Sequence, residues 1–437
     1  MGQNGRAAGG GHREDGPGGT GQHDGAQGAK LLAGAPGAAW PAARSETLEW
    51  RFSDLRWAES NLSRRAIDAL QGPYDACVPA DIATAGVQIP AGAAVLMEEA
   101  MIEMVRFDLE ASAAPAPMPS VLLRSESACS SQIENLTASA RQIALSTLGA
   151  GARHNAELIA ANVRAMEAAL AIPKITAQGT LEIHAALMGR AAPQLAGRWR
   201  DEPVWIGTSG WSPIGAAFVP PKWERVPELM DDLSRFAART DVPTLAQAAI
   251  AHAQFETIHP FADGNGRTGR VLIHTLFRRG GLAPRATIPV SAGLLAHVGE
   301  YVAALEAYRR GDAEPIIRRV AEAALAAVAG GRAMLADIRE VQDQWMAVPA
   351  VRRNPTAVRL ANALFAQPAV NGAFVVEALG VAPSTALNAI DILEQAGVLV
   401  QCGGYKRDRT WEAPRALRVL EGFAARAARR PASRRLA

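Results

Sequence analysis

The chain passes between two predicted helices through residues 259–270, which read His259-Pro-Phe-Ala-Asp-Gly-Asn-Gly-Arg-Thr-Gly-Arg270. Before this stretch, Thr244–Ile258 carries apolar side chains about one helical turn apart, which predicts a buried helix. Pro260 disfavours helical geometry in the preceding residue, so that helix should end at His259. Thr268–Arg279 again has a helical pattern. The stretch therefore predicts a helix-loop-helix, and the Ala-rich, aliphatic composition favours a mainly α protein.

The loop itself has the composition of an anion site. Gly264, Asn265 and Gly266 can adopt positive φ and bring backbone N–H groups together. A glycine-rich turn that runs into a helix N-terminus is suited to phosphate, because unpaired amides and the helix dipole both face the ligand. Arg267 and Arg270 are three residues apart and can project toward the same anion.

Two further residues of the loop complete a candidate reaction centre. Asp263 would repel a phosphate unless a cation lay between them, so its position predicts a Mg²⁺ site. His259 lies at the edge of the loop and is a base whose ordinary pKa is near neutrality. Each residue alone is more often structural, since a histidine before proline and a Gly-Asn-Gly turn are common in loops. Their joint order favours an active site.

These twelve residues resemble the signature of the Fic family, His-x-Phe-x-(Asp/Glu)-Gly-Asn-Gly-Arg-x-x-Arg, and every specified position is matched. The resemblance implies a helical-bundle Fic core that transfers AMP from ATP to a Ser, Thr or Tyr hydroxyl of a target protein. His259 would be the catalytic base. The phosphates would lie on the Gly264–Gly266 turn with Asn265 orienting the α-phosphate, Arg267 and Arg270 neutralising the others, and Asp263 holding Mg²⁺.

A second motif lies upstream, at Ser130-Ser-Gln-Ile-Glu-Asn135. Without a family, Glu134 would be interpreted as a solvated carboxylate or a helix cap. The segment resembles the inhibitory motif (Ser/Thr)-x-x-x-Glu-(Gly/Asn) that many Fic proteins carry before their core. The resemblance implies that Glu134, with Ser130 one turn earlier, pairs with Arg270 and blocks the site of the ATP γ-phosphate.

Residues 197–207 and 216–221 are short, aromatic or β-branched segments separated by a turn-rich stretch, which predicts a β-hairpin. The family resemblance makes this hairpin the flap that aligns the target segment by strand addition. Trp205, Ile206 and Phe218 are then the candidates for contacting the target. A purely structural hairpin is the alternative.

The C-terminal part of the chain changes character. Helices are predicted at Pro355–Phe365, Asn371–Leu379 and Pro383–Ala396, followed by a strand pair at 398–401 and 409–412. Three helices and such a pair resemble a winged helix-turn-helix domain. Ala382, just before the third helix, lacks the side-chain cap that a serine would provide there.

The third of these helices is the candidate DNA-contacting element. Ser384, Thr385, Asn388 and Asp391 are predicted on its exposed face, with Leu387, Ile390 and Leu393 on the buried one. This face lacks Arg and Lys, whereas Lys406, Arg407 and the arginine-rich tail could contact DNA without sequence preference. A protein-binding or dimerising domain is the alternative.

The predicted organisation has six segments. They are a disordered Gly-rich tail (1–44), an N-terminal helical Fic-associated subdomain (45–118), a Fic catalytic domain that includes the inhibitory motif 130–135 (119–346), a linker (347–354), a winged helix-turn-helix domain (355–418) and a basic C-terminal tail (419–437).

The composition of the chain bears on its cellular location and on its binding partners. The net charge of +2 indicates no partner by itself, and the three cysteines show neither metal-ligand spacing nor a disulfide framework, which favours a reducing cytoplasm. No apolar run long enough for a membrane span occurs, and no signal-peptide pattern. ATP, a target protein, DNA and a second copy of the chain are the partners considered. The alternatives are AMP removal with Glu134 orienting a water, transfer of another phosphate-containing group, or a DNA-binding regulator with a nucleotide-sensing site.

Overall fold

A computed structural model describes residues 40–51, 63–149, 154–172, 174–207, 211–402 and 409–428. Over these residues the protein is mainly helical. The elements are, in chain order, β1 (Arg44–Trp50), α1 (Arg64–Asp68), β2 (Gly72–Val78), α2 (Ala91–Ser112), α3 (Met118–Ile133), α4 (Ala140–Thr147), α5 (His154–Leu170), α6 (Ala177–Met188), α7 (Val226–Ala237), α8 (Thr244–Ile258), α9 (Asn265–Arg279), α10 (Val290–Ala296), α11 (Val298–Arg309), α12 (Glu314–Met346), α13 (Pro349–Arg353), α14 (Pro355–Ala363), β3 (Ala369–Asn371), α15 (Gly372–Leu379), α16 (Pro383–Gln395), β4 (Val400–Gln401), β5 (Thr410–Glu412) and α17 (Pro414–Ala428).

Two helices, α8 and α9, form the centre of the bundle. Every residue of α8 after Thr244 is buried, and α9 is buried from Asn265 to Phe277. Helices α2, α7, α11 and α12 pack around α8, while α3, α5 and α6 pack against α9. Helix α8 carries mostly apolar or small side chains on every face and therefore lies inside the protein, whereas the buried residues of α9 also include Arg267, Arg270 and His274. The loop between α8 and α9 is thus anchored at both ends in buried helices.

The N-terminal part differs from the expected helical subdomain. β1 and β2 form an antiparallel pair in which Arg44 lies opposite Val78 and Trp50 opposite Gly72. The strands of this pair are separated in the chain by α1, and the side chains of β1 alternate between more and less exposed positions, as in a strand with one buried face. Trp40, which the prediction placed in the disordered tail, is buried against the rings of Phe236 and Tyr308.

Two other boundaries were predicted wrongly. The expected linker contains α13, whose Val351 is fully buried and whose first residue is proline, a favourable first helical position. The expected tail is helical to Ala428, because α17 presents Leu420 and Phe423 to the bundle and packs on α3, α4, α10 and α12. Helices α10 and α11 are separated by His297, which has non-helical geometry.

The C-terminal domain contains the three predicted helices, α14 to α16, and a three-stranded antiparallel sheet in the order β3-β5-β4. Strand β3 was not foreseen. Ala382 provides no side-chain cap to α16, as expected. Leu387 is 42% exposed although it was expected on the buried face, because Ala386 and Ala389 lie on the inner side with Ile390.

No single helix among the described residues has both the length and the apolar composition needed to cross a membrane. Gly372–Leu379 and Pro383–Gln395 meet the criterion only when taken together, and they are bent by 111°.

Candidate active site

His259 directly follows α8 and adopts the left-handed conformation, with φ 50° and ψ 62°. This geometry is unfavourable for a residue with a Cβ and needs support from its surroundings. The His259 amide donates to the carbonyl oxygen of Phe255 at 2.8 Å. Arg200 supplies further support for this backbone conformation. Its Nε donates to the His259 carbonyl oxygen at 2.9 Å, and its Nη2 donates to the Pro221 carbonyl oxygen. The backbone that carries the candidate base is therefore clamped.

Arg200 was not foreseen from the sequence. It is only 4% exposed and its hydrogen bonds in this region go to backbone carbonyl groups, which no local pattern announces. Burial lowers its pKa to about 10, so it remains charged at neutral pH.

The imidazole of His259 is 18% exposed, and it is uncharged at neutral pH. Burial lowers its pKa to about 4, and the nearby Arg200 charge acts in the same direction. A neutral imidazole can accept a proton from a hydroxyl whose acidity increases during attack on a phosphorus atom. The predicted role as a base is thus compatible with the electrostatics.

The glycine-rich turn is more helical than expected. Gly264 has φ 78°, but Asn265 and Gly266 belong to the first turn of α9, so the predicted positive φ occurs only at Gly264. The first amides of a helix have no acceptor within it. The anion-binding groups are therefore those of a helix N-terminus, to which the dipole of α9 adds a partial positive charge.

The side chain of Asn265 closes the loop. Its Oδ1 accepts the Phe261 amide proton at 2.9 Å, and its Nδ2 donates to the Phe261 carbonyl oxygen at 2.8 Å. Phe261 is fully buried and stacks on His184 with ring centroids 3.7 Å apart. His184 was missed: its Nδ1 accepts from the Gly197 amide, so its Nε2 donates to the Asp263 carbonyl oxygen at 3.0 Å. Burial lowers the pKa of His184 to about 4 and keeps it neutral.

Arg270 is joined to α3 by three hydrogen bonds. Its Nε donates to Ser130 Oγ at 2.8 Å, and its Nη2 donates to the Ser130 carbonyl oxygen at 2.7 Å and to Glu134 Oε1 at 2.8 Å. The guanidinium is almost fully buried, whereas the Glu134 side chain is 27% exposed. The contact expected between Glu134 and Arg270 is present.

Glu134 lies directly over the start of α9. A Cβ placed on Gly266 would come within 1.8 Å of Glu134 Oε1. Glycine is required at this position for the close approach of the carboxylate, since the backbone of Gly266 is helical and any residue could adopt it. The Glu134 carboxylate therefore occupies the space beside the first turn of α9 that a side chain at position 266 would fill.

Arg267 has different surroundings from Arg270. It is 3% exposed, and its Nε and Nη1 are buried with no hydrogen-bond partner. Its Nη2 lies 3.6 Å from Asp263 Oδ1 and 3.8 Å from the Met188 sulfur. Leaving charged donors buried and unpaired is costly, so the geometry fits an anion that would accept from them.

Asp263 was the predicted magnesium ligand. Its side chain is 59% exposed, and its Oδ1 accepts the Gly264 amide proton at 2.6 Å. Within the part of the chain that the structure describes, no group of three or more His, Cys, Asp or Glu side chains could enclose a metal. Mg²⁺ is commonly held by one or two carboxylates together with substrate phosphates. Asp263 fits that mode of binding, with the nucleotide supplying the other ligands.

The predicted flap is shorter than expected. Ile206 and Phe218 form a single antiparallel bridge, with N···O distances of 2.8 and 3.1 Å, and residues 208–210 lie outside the described residues. Trp205 packs edge-on against Trp50 at 5.3 Å, and Phe218 is buried under the Arg309 guanidinium at 3.5 Å. Only Ile206, 49% exposed, has the exposure expected of a target contact.

The candidate DNA-contacting residues lie apart from this site. Ser384, Thr385 and Asn388 are exposed on α16, as predicted. Lys406 and Arg407 fall outside the described residues.

Comparison with known families agrees with this geometry. Residues 174–277 match the sequence model of the Fic/DOC family, a range that runs from just before α6 almost to the end of α9. It includes His184, Arg200 and the whole of residues 259–270. The chain therefore carries a Fic domain.

Two curated relatives illustrate the similarity. Protein adenylyltransferase fic-1 of Caenorhabditis elegans is 34% identical over 149 residues, which are 34% of this chain and 27% of that protein. Protein adenylyltransferase Fic of Drosophila erecta is 32% identical over 152 residues, 34% of this chain and 28% of that protein. The matched segment thus spans little more than a quarter of either relative. Among solved structures, a Fic family protein from Desulfovibrio desulfuricans G20 aligns with a TM-score of 0.49 and 22% identity, over 75% of this chain and 97% of that one.

Proposed function

We propose that this protein is a protein adenylyltransferase, which transfers AMP from ATP to a Ser, Thr or Tyr hydroxyl of a target protein and is inhibited by its own Glu134. The observation that carries the proposal is Arg267, a buried guanidinium with two unpaired nitrogens beside the N-terminus of α9. The guanidinium of Arg267 and the unpaired backbone amides at the start of α9 together are suited to binding a chain of phosphates. The relatives named protein adenylyltransferase support this choice of reaction.

The reaction requires a base near the phosphate site, and two observations support His259 in this role: it precedes the loop that leads into α9, and its imidazole is neutral at neutral pH. The target hydroxyl oxygen would attack the α-phosphorus, while His259 accepts the hydroxyl proton. The bond between the α-phosphorus and the oxygen that bridges to the β-phosphate would break, and pyrophosphate would leave. The α9 N-terminus and Arg267 would stabilise the charge that develops on the phosphate oxygens.

Asp263 is the residue that would hold Mg²⁺, which would supply further neutralisation of the phosphates when bound. The Asp263 carboxylate is exposed and lies next to Arg267, so its contribution depends on the nucleotide bringing the remaining ligands.

Inhibition follows from the position of Glu134. The Arg270 fork that would neutralise the γ-phosphate already donates to Ser130 and Glu134, and the Glu134 carboxylate covers Gly266. A carboxylate at that place repels a phosphate electrostatically and excludes it sterically. Because one partner is almost fully buried, the pair should be stronger than an exposed pair, which contributes only about 0–1 kcal/mol.

The test compares labelling from α-labelled and γ-labelled ATP. Glu134→Gly should increase α-label incorporation into the protein or into a cell extract, because Arg270 and the space over Gly266 become accessible. His259→Ala in the Glu134→Gly chain should then lower it by roughly 10²- to 10⁴-fold, the usual contribution of a positioned base. γ-Label should not be incorporated by any variant.

Several outcomes would contradict the proposal. Incorporation of γ-label instead of α-label would indicate phosphate transfer. Undiminished α-labelling after His259→Ala would exclude this mechanism, and release of AMP from an already modified target would indicate the reverse reaction. No increase with Glu134→Gly would remove the inhibitory role.

We propose that the C-terminal domain selects a binding partner. The partners considered are DNA and a second copy of the chain. Removing residues 355–437 would also remove α17, which packs on α3, so deletion would disturb the inhibitory helix. Asn388→Glu on the exposed face of α16 is the cleaner test. Salt-dependent retention on DNA that this substitution leaves unchanged would exclude α16 as the contact surface.

A further inference from the structure

Behind His259 lies a buried polar cluster that the loop chemistry does not use. Glu256, on the last turn of α8, is buried with its two carboxylate oxygens directed toward different imidazoles. Oε2 lies 4.0 Å from His259 Nδ1, and Oε1 lies 4.0 Å from His252 Nδ1. Glu256 Oε1 and both Nδ1 atoms are buried and make no hydrogen bond of normal geometry. Backbone hydrogen bonding from Glu256 to His259 and from Gly269 to His252 opposes the lowering of each imidazole pKa, so only Glu256 Oε1 has no other group acting as its partner. A buried carboxylate oxygen without a partner is rare in folded proteins and calls for an explanation.

The hydroxyl of Tyr301 determines which nitrogen of His252 carries a proton. His252 Nε2 lies 2.7 Å from the hydroxyl of Tyr301, and burial raises the pKa of Tyr301, so the hydroxyl keeps its proton and can donate it. With Nε2 as acceptor, the neutral His252 carries its own proton on Nδ1, which faces Glu256. A carboxylate between two imidazoles is satisfied when His259 also carries its proton on Nδ1. His259 Nε2 then keeps its lone pair.

We infer that Glu256 is a positioning residue for His259: its carboxylate holds the imidazole with Nδ1 protonated, so that Nε2 can accept the proton of the target hydroxyl. The inference rests on the proposed function. Both imidazoles are neutral and the distances of 4.0 Å exceed hydrogen-bond length, so the carboxylate has to approach by about 1 Å to accept from them, a tightening that is common when a substrate binds.

The fold leaves room for this carboxylate at one residue of α9. A Cβ at Gly269 would lie 2.6 Å from Glu256 Oε1 and 3.1 Å from His252 Nδ1. Gly269 has ordinary helical geometry, so nothing in its backbone demands glycine. The absent side chain instead provides the space in which the carboxylate sits.

Glu256 also links the base to the inhibitory pair. The charged groups that act on Glu256 from neighbouring elements are Arg270 on α9, Glu134 after α3 and Arg309 on α11, while His259 is also affected by Arg200. Burial raises the pKa of Glu256 to about 7; Arg270 opposes this rise, and Glu134 adds to it. Departure of Glu134 therefore favours the ionised carboxylate that the positioning role requires.

The experiment measures the tautomer and the rate in the Glu134→Gly chain. With the Glu256 carboxylate present, ¹⁵N NMR of histidine-labelled protein should show His259 mainly protonated at Nδ1. Glu256→Gln presents an amide that can donate to Nδ1, so the Nε2-protonated form should gain. We expect kcat for α-labelling to fall about 10- to 100-fold, as for other residues that orient a functional histidine, with KM for ATP unchanged. The acid limb of the pH profile should also move, and Glu256→Asp should restore part of the rate.

Asp108→Asn is the matched control, because Asp108 is a buried carboxylate that accepts from the amides of Arg285 and Ala286, far along the chain from the cluster. It should lower the thermal stability without changing the His259 tautomer. If Glu256→Gln fails to fold, Gly269→Ala is the second variant: it keeps the carboxylate but displaces it, and should lower kcat similarly.

An unchanged tautomer with kcat within about twofold of the parent chain would overturn the inference, twofold being below the effect expected of an orienting residue. The two proposals fail differently. If the Glu134→Gly parent incorporates no α-label, the proposed function fails, and the NMR measurement still tests the position of the His259 proton.

Discussion

Arg267 and Arg270 lie three residues apart on α9 and are both almost fully buried, yet their guanidinium groups have opposite surroundings. Arg270 donates to three acceptors on α3 and its C-terminus. Arg267 leaves two nitrogens unpaired. The Arg270 guanidinium is thus satisfied by the protein itself, while Arg267 has only weak internal contacts, to Asp263 at 3.6 Å and to the Met188 sulfur at 3.8 Å. Under the proposed function, Glu134 would act on one end of the nucleotide site and leave the Arg267 end open to a phosphate.

The largest expected effect concerns Arg267. In the Glu134→Gly chain, Arg267→Met should reduce kcat/KM for α-labelling by about 10²- to 10³-fold, equivalent to two charge-assisted hydrogen bonds of about 1.5–2 kcal/mol each. The free energy of unfolding should be unchanged or slightly raised, because a buried charge with unpaired donors is removed. Urea denaturation and steady-state labelling measure the two quantities. A clear loss of stability would show that Arg267 has an internal partner after all.

The same substitution at Arg270 should give the reverse pattern in the unmodified chain. Arg270→Met leaves Ser130 and Glu134 without their donor, so the free energy of unfolding should fall by roughly 2–4 kcal/mol. Arg267→Met made in the same unmodified chain serves as the control, since both residues lie on one helix and are similarly buried. Equal stability losses in the two variants would remove the contrast between the two ends of the site.

A smaller effect is expected from Ser130→Ala. Only the acceptor of Arg270 Nε is lost, while the Ser130 carbonyl and the Glu134 carboxylate still accept from Nη2. Loss of one hydrogen bond of about 0.5–1.5 kcal/mol should raise basal α-labelling by roughly 2- to 10-fold. Ser131→Ala is a suitable comparison, because the Ser131 hydroxyl donates within α3 to Ser127 and does not touch Arg270. If Ser130→Ala raised labelling as strongly as Glu134→Gly, the assignment of the inhibition to Glu134 would be wrong.

The parts of the site that could be predicted are those whose residues are neighbours in sequence. Residues 259–270 occupy one loop and one helix start, so their order alone indicated a phosphate site with a base beside it. The pairing of Glu134 with Arg270 was reached only through a family motif. Arg200, His184 and Glu256 escaped prediction because each acts through tertiary contacts: two bind backbone groups of a loop distant in sequence, and Glu256 is an ordinary-looking helical residue until its neighbours are known.

The fold followed the same division. Long helices with an apolar stripe or an apolar surface were predicted almost to the residue, as for α8. The pairing of β1 with β2 was missed, since each strand has seven residues and depends for its stability on a partner strand that is not adjacent in sequence, with Trp50 opposite Gly72 and Arg44 opposite Val78. The flap was predicted as a hairpin, and the described residues contain one bridge of it, between Ile206 and Phe218, with Phe218 buried under the Arg309 guanidinium.

Gly266 has a consequence for how the proposed activity could become permanent. Its missing side chain makes room for the Glu134 carboxylate, and the same room lies at the N-terminus of α9 that a phosphate would need. Under the proposed function, a larger residue at position 266 would displace the Glu134 carboxylate and also occupy the space that a phosphate needs. Substitutions that raise the labelling activity should therefore be found at Ser130 or Glu134, and never at Gly266. The inhibitory contact can be removed by changes at the end of α3, whereas a change at the start of α9 would also impair nucleotide binding.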